Sequence, residues 1–254
     1  METRIITINN QKAGTGKTTT AINLGFSLVR SGKKVLLIDF DPQANLSAGI
    51  GVYVEEGEHT IYDLIMGKAD EDIILPTKIK GLHIIPSSIE LSCAEMELIS
   101  QIGRDMKLKT ALARLIKNKT FNYIIIDTPS SLGILLINAL STATNVIIPV
   151  QAQAFAISGI AHLIEIVNVV KSKINPNMSD WMVLPTMVDF RRKEDRLMLE
   201  KIQYLYQGNT FKTCIKVNPN LIEYSRKYPA MNIYDKNSTV AQEYESLSQE
   251  LLTK

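Results

Sequence analysis

Cysteine is scarce in this 254-residue chain, with only Cys93 and Cys214. Two are too few for a disulfide framework or a cysteine metal cluster, and both read as buried structural thiols of a reducing compartment. Histidine is nearly as rare. His59, His83 and His162 lie far apart, with no acid or cysteine partner at metal-ligand spacing, so each reads as packing or surface. The single tryptophan, Trp181, precedes a strand-like run and reads as core or edge packing. No apolar run is long enough to suggest a membrane span. Between Asp127 and Glu165 there is no charged residue, but Asn138, Asn145, Pro149, Gln151 and Gln153 interrupt the stretch. A span needs roughly 20 mainly apolar residues, so a buried helix, strand and helix account for it better. Repeats, low-complexity tracts and linkers are missing too, which predicts one domain over residues 1–254. The opening Met1-Glu2-Thr3-Arg4 runs directly into a strand-like segment, so neither a signal peptide nor an N-terminal helix-turn-helix extension is expected.

What is present is an apolar content of 45% and a net charge of +2. This suits a folded domain and is too little charge to imply nucleic acid by itself. The charge is uneven, however: residues 191–227 carry nine basic and four acidic side chains, a net of +5. That is either a local basic surface or a solvated helix face. Short β-branched runs recur at RIITIN (4–9), KVLLID (34–39), LHIIP (82–86), YIIID (123–127), VIIPV (146–150) and MVLPT (182–186). Their lack of polar alternation suits strands covered on both faces. Amphipathic stretches separate them. Leu108, Leu112, Leu115 and Ile116 form one stripe; Val240, Tyr244, Leu247 and Leu251 form another, opened by a capping pattern at Thr239–Gln242. Gly32 reads as the stop of a helix over 17–30. Strand–helix alternation predicts an α/β fold with a doubly wound, mainly parallel sheet flanked by helices.

The chemistry concentrates in NNQKAGTGKTTT (9–20). It sits between a predicted strand and a predicted helix, as a phosphate-binding loop G-x-x-x-x-G-K-[ST] does, but Gln11 replaces the first glycine and Lys12 adds a second lysine. Backbone N–H groups of residues 12–19, Lys12 to Thr19 by way of Ala13, Gly14, Thr15 and Gly16, would form an anion cradle at a helix N-terminus. Gly14 and Gly16 permit the backbone angles this needs. Lys17 is placed to reach β- and γ-phosphates, and the Thr18 hydroxyl to bind Mg²⁺. Asp39 and Asp127 close predicted strands and Asp41 follows two residues later; acids at the C-terminal edge of a parallel sheet share the loop's crevice.

Taken together, KAGTGKTTT, LLIDFDPQAN, TIYDLI and YIIIDTPSSLG resemble the ParA/Soj-type partition ATPases. These belong to the P-loop group with a deviant Walker A motif that also holds MinD and the nitrogenase iron protein. The resemblance runs from Arg4 to about residue 253. It implies ATP and Mg²⁺ as cofactors and slow intrinsic hydrolysis. It identifies Lys12 as the signature lysine expected to reach the partner subunit's ATP across a homodimer. Asp41 matches the residue that orients the attacking water, Asp39 and Asp127 the acids that hold Mg²⁺ through water, and Asn218 an asparagine that contacts adenine. Two positions depart from the family pattern: Ala13 stands where glycine is usual, and Lys216 where proline is usual. TMVD (186–189) is either a lining of the same pocket or a plain strand-to-loop turn.

The resemblance further implies non-specific double-stranded DNA and a ParB-like centromere-binding protein as partners, in a cytoplasmic, nucleoid-associated protein. The usual DNA-contact arginines fall here on Val217 and Asn220, leaving Lys216, Arg226, Lys227, Arg191 and Arg192 as candidates. The alternative is a MinD-like membrane-associated positioning ATPase. It requires a basic amphipathic C-terminal anchor, whereas QEYESLSQELLTK carries Glu243, Glu245 and Glu250 against Lys254. An iron–sulfur reductase needs paired cysteines, and nothing resembles the substrate pocket of a small-molecule synthetase or kinase.

Overall fold

A computed structural model describes residues 3–117, 120–153, 156–218 and 238–253. Seven strands form one sheet: β1 (Arg4–Ile8), β2 (Val35–Asp39), β3 (Leu75–Pro76), β4 (Leu82–Ile85), β5 (Tyr123–Asp127), β6 (Asn145–Gln151) and β7 (Asp180–Thr186). Their order is β3-β4-β2-β5-β1-β6-β7, parallel throughout except for the β3–β4 edge pair. All six predicted strands are there. The edge strand β3 is new, being only two residues long.

Strand residues alternate between two apolar layers, so an unbroken aliphatic run is buried on both sides. Val35 and Leu37 of β2, with Tyr123 and Ile125 of β5, face α1 (Lys17–Arg30). Leu36 and Ile38, with Ile124 and Ile126, face the side covered by α3 (Ile61–Met66), α4 (Leu91–Ile99), α5 (Lys107–Leu115) and α6 (Ile134–Thr142). A further core joins β6 and β7 to α6, α7 (Ala156–Lys173) and α8 (Lys193–Leu205). The uncharged stretch is thus helix, strand and helix, and among the described residues no helix is long and apolar enough to cross a membrane.

The helix α9 (Thr239–Leu252) packs on α1. Its stripe of Val240, Tyr244, Leu247 and Leu251 is buried as predicted. Four such side chains contribute roughly 6–12 kcal/mol as an upper bound. Tyr244 Oη and Thr20 Oγ1 share a hydrogen bond of 3.1 Å inside this contact. The expected cap is off by one: Ser238 is the N-cap, accepting the Ala241 N–H, and Thr239 is the first helical residue. The expectation of buried cysteines also fails. Cys93 is exposed and Cys214 half-buried, because α4 turns Leu91, Ala94 and Leu98 inward and leaves position 93 outside. Trp181 is half-buried, edge-on to Tyr206, and His83 packs edge-on against Phe121.

What positions a site is the register at the centre of the sheet. β5 lies between β1 and β2, with Ile8 paired to Asp127 and Asp39 paired to Asp127. The C-terminal ends of these strands are therefore level, and the segments that follow them converge on one edge. A short helix α2 (Asn45–Gly49) packs just beyond Asp39.

Candidate functional site

β1 delivers the chain into the glycine-rich loop. Gly14 (φ 73) and Gly16 (φ 92) adopt the left-handed backbone that favours glycine. Among the described residues the only other residues than glycine with positive φ are Ala44 and Met187, so Ala13 sits in ordinary backbone and its methyl costs no strain. The loop is pinned from several sides. Lys12 N–H donates to Asn10 Oδ1 (2.9 Å), and Asn10 Nδ2 to the Pro149 carbonyl (2.7 Å). Thr15 Oγ1 donates to the Lys12 carbonyl (3.3 Å), and Thr186 Oγ1 to the Thr15 carbonyl (2.9 Å). Gly16 is the N-cap of α1, with no side-chain cap and no acid in the first turn. The unpaired N–H groups of that turn leave a positive, concave end.

Lys17 is buried, and its Nζ donates to Ser130 Oγ at 2.6 Å. Burial lowers its pKa, opposed by the charges of Asp127 and Asp41. Asp39 and Asp127 are both fully buried. Burial pushes Asp39 up to about 6, although Ser47 donates both its N–H (2.8 Å) and its hydroxyl (2.7 Å) to Oδ2, and Asp41 N–H donates to Oδ1 (3.3 Å). Asp127 is driven well above the carboxylate range, first by burial and then by the charge of Asp39, with the Thr18 hydroxyl offsetting part. The Thr18 hydroxyl is near enough to favour the charged form, but among the described residues neither Asp127 oxygen accepts a hydrogen bond of full geometry. Two buried acids in register, one with both oxygens unpaired, form a site whose charge a cation would balance. That donor set, with the half-buried Thr18 hydroxyl, fits a hydrated divalent ion better than it fits a structural cap. Asp41 is half-buried, and its Oδ1 accepts the Gln43 N–H at 2.9 Å.

Lys12 turns out of this cluster. Its exposed Nζ donates to Gln151 Oε1 (3.3 Å) and Gln153 Oε1 (3.4 Å), at the end of β6. On the other side of the loop, Gly16, Thr19, Gln151, Thr186, Met187, Ile215, Lys216, Val217, Asn218 and Tyr244 surround a cavity of about 300 Å³. Asn218 is therefore beside the loop, where Nδ2 also donates to Thr239 Oγ1 at 3.4 Å. Thr186 and Met187 of the TMVD segment line the same cavity.

The candidate basic residues are partly neutralised. Arg191 forms a bidentate pair with Asp189 (2.8 and 2.7 Å), which holds that carboxyl down near 2. Lys216 Nζ lies 3.4 Å from Glu243 Oε1, and Glu243 Oε2 accepts the Lys216 N–H. A parallel bridge between Val188 and Lys216 brings the two regions together. Arg192 is exposed at the N-cap of α8. Arg226 and Lys227 lie outside the described residues. Sequence reasoning missed Ser47, which reaches back eight residues to Asp39, and Ser130, Glu243 and Tyr244, whose partners are distant in the chain. Only the Ser pair in the segment after Asp127 offered a local hint.

Against known proteins, a protein-family profile described as an AAA domain matches residues 3–180. Over 249 residues the chain is 39% identical to the sporulation initiation inhibitor protein Soj of Bacillus subtilis, covering 98% of each. It is 35% identical to the chromosome partitioning protein ParA of Myxococcus xanthus, covering 98% of this chain and 88% of that one. Among solved structures, cobyrinic acid a,c-diamide synthase of Mycobacterium smegmatis, with bound ADP and magnesium, superimposes with a TM-score of 0.82 at 30% identity, covering 99% of this chain and 94% of that chain. With its glycine-rich loop, level strand-end acids and near full-length identity to Soj and ParA, the chain belongs to the ParA/Soj-type P-loop ATPases.

Proposed function

We propose that this protein is an ATP-driven DNA-partitioning switch, acting as one domain over residues 1–254. ATP binding closes two protomers into a two-fold sandwich dimer, and the dimer grips non-specific double-stranded DNA through phosphate contacts. A ParB-like centromere-bound partner stimulates a slow hydrolysis that releases it, so the protein works on the nucleoid in the cytoplasm. The observation that carries this reading is the convergence of the Lys17 amine and the unpaired Asp127 carboxylate on the level ends of β1, β5 and β2.

The residues divide the work. The N–H groups of 12–19 and the Lys17 amine hold the phosphates. Thr18, with Asp39 and Asp127 through water, is the set that would hold Mg²⁺, which when bound neutralises phosphate charge. Asp39 is the more constrained of the two acids, since Ser47 already occupies Oδ2. Asp41 orients the attacking water from its half-exposed turn after β2. Asn218 and the 300 Å³ cavity receive the nucleoside. Lys12 extends from the edge of the site, held only by the side chains of half-buried Gln151 and exposed Gln153, and is free to reach a facing protomer's nucleotide as an in-trans cation. DNA affinity that depends on the dimer gives ATP the differential binding a switch requires.

Gel filtration with and without ATP, followed by binding to random duplex DNA and to anionic liposomes, tests this. ATP-dependent dimerisation and DNA binding without liposome binding is expected. Liposome binding would favour a MinD-like role instead, and nucleotide-independent size and DNA binding would overturn the switch.

A further inference from the structure

Gly133, the N-cap of α6, has φ −79° and ψ −169°, a conformation open to any residue. Its backbone therefore does not require glycine, but with Glu95 in its present rotamer there is no room for a Cβ. A Cβ at this position would lie 2.2 Å from Glu95 Oε1 and 3.2 Å from Glu95 Cδ. The Glu95 carboxyl group of α4 rests directly on the Gly133 Cα. Its Oε1 is buried and has no hydrogen-bond partner among the described residues. α6 starts without a side-chain cap, so the nearby negative group faces the positive end of a nine-residue helix.

This contact backs the segment 128–133, which joins Asp127 to α6. The near end of that segment is tied to β1 and the loop. Thr128 Oγ1 donates to the Ile8 carbonyl (2.8 Å), Asn9 Nδ2 donates to Thr128 Oγ1 (2.6 Å), and Ser130 Oγ accepts from Lys17 Nζ (2.6 Å). Its far end has Glu95. α4 itself is anchored by Leu91, Ala94 and Leu98 in the same apolar layer as Leu135 and Ala139 of α6.

The geometry points to Glu95 as a positioning residue for the nucleotide site: seated on Gly133, it fixes the 128–133 segment and so the spacing of Ser130, Lys17 and Asp127. This rests on the nucleotide-site reading above. On that reading the loop amides of residues 12–19 and the Lys17 amine hold the phosphates, and Glu95 touches neither. Turnover depends on sub-ångström placement of the reacting groups, where displacements of about 1 Å cost on the order of a hundredfold.

Glu95→Ala should therefore lower kcat for ATP about tenfold or more while changing nucleotide Kd less than about threefold. In the nucleotide-free protein it should speed amide exchange of residues 130–136 about tenfold, leaving the β1 and β5 amides unchanged. Gly133→Ala should impair kcat by collision with the carboxyl group, and the pair Glu95→Ala with Gly133→Ala should recover part of the loss, since the added methyl enters the vacated space. Glu95→Gln, which keeps the shape, should retain most of the turnover and serves where the alanine variant does not fold. The inference is overturned by Glu95→Ala with wild-type kcat and exchange, by a loss of kcat that tracks global unfolding, or by a double variant no better than the worse single one. Wild-type protein that neither binds nor hydrolyses ATP would overturn the nucleotide-site reading itself, which separates the two failures.

Discussion

Removing one hydroxyl should make the free protein less stable and its grip on nucleotide tighter. The Lys17 amine donates to Ser130 Oγ at 2.6 Å in a mostly buried setting. To meet a phosphate it must give up that bond. A hydrogen bond from a charged donor contributes about 1.5–3 kcal/mol net. In Ser130→Ala the amine still feels Asp127 and Asp41, so the lower figure applies, about 1.5 kcal/mol. The nucleotide-free variant should then melt about 3–6 °C lower. The bound state, in which phosphate replaces the hydroxyl, loses little, so affinity should rise by up to roughly tenfold. Calorimetric titration with a non-hydrolysable ATP analogue at fixed magnesium, beside thermal unfolding of the free protein, reads both. Weaker nucleotide binding in Ser130→Ala, or an unchanged pair of values, would refute the competition between Ser130 and phosphate for this lysine.

Lys12→Ala should bind ATP as a monomer; an unchanged ATP-induced dimer by light scattering would show that this lysine does not act across the interface. Asp41→Ala should bind ATP and DNA with turnover lowered at least about a hundredfold, and full phosphate release would remove its water-orienting role. Arg192→Ala should lower the slope of log K for DNA against log salt by about 1. Glu243→Gln, which drops the Lys216 ion pair but retains an acceptor for its N–H, should raise that slope; no change in either would move the DNA surface elsewhere. In magnesium-free buffer Asp39 should titrate near pH 6. With its folded pKa raised, its contribution to stability is fully present below pH 3.8 and is lost as pH rises through about 6, a decline of about 3 kcal/mol. A carboxyl ¹³C midpoint near 4 would contradict this.

The fold was legible because both-face burial leaves a plain mark: β2 is aliphatic at every position before its terminal acid, and so is β5 after Tyr123. The two-residue β3 carries no such periodicity. The cap at Ser238 was misplaced by one residue because serine and threonine in succession both suit the role, and only the reach of one hydroxyl to Ala241 N–H decides. Cys93 was misread because composition favours burial, whereas the inward face of α4 is set by Leu91, Ala94 and Leu98. At the site, the loop and strand-end acids were readable, since their chemistry and their spacing lie within short stretches. The pairing of Arg191 with Asp189, and of Lys216 with Glu243, was not. Charge counts register the residues but not the contacts that neutralise them. The seat of Glu95 on Gly133 joins two separate helices and leaves no local pattern at all.

The bond between Thr20 and Tyr244 spans 224 residues of chain. On a ribosome adding about 5–20 residues per second, the helix that follows the glycine-rich loop is made roughly 11–45 s before its last packing partner exists. Until then one apolar flank of that helix has nothing to lie against. Nascent chains should therefore neither retain nucleotide nor pair with one another on a shared message, and assembly should wait for finished protein.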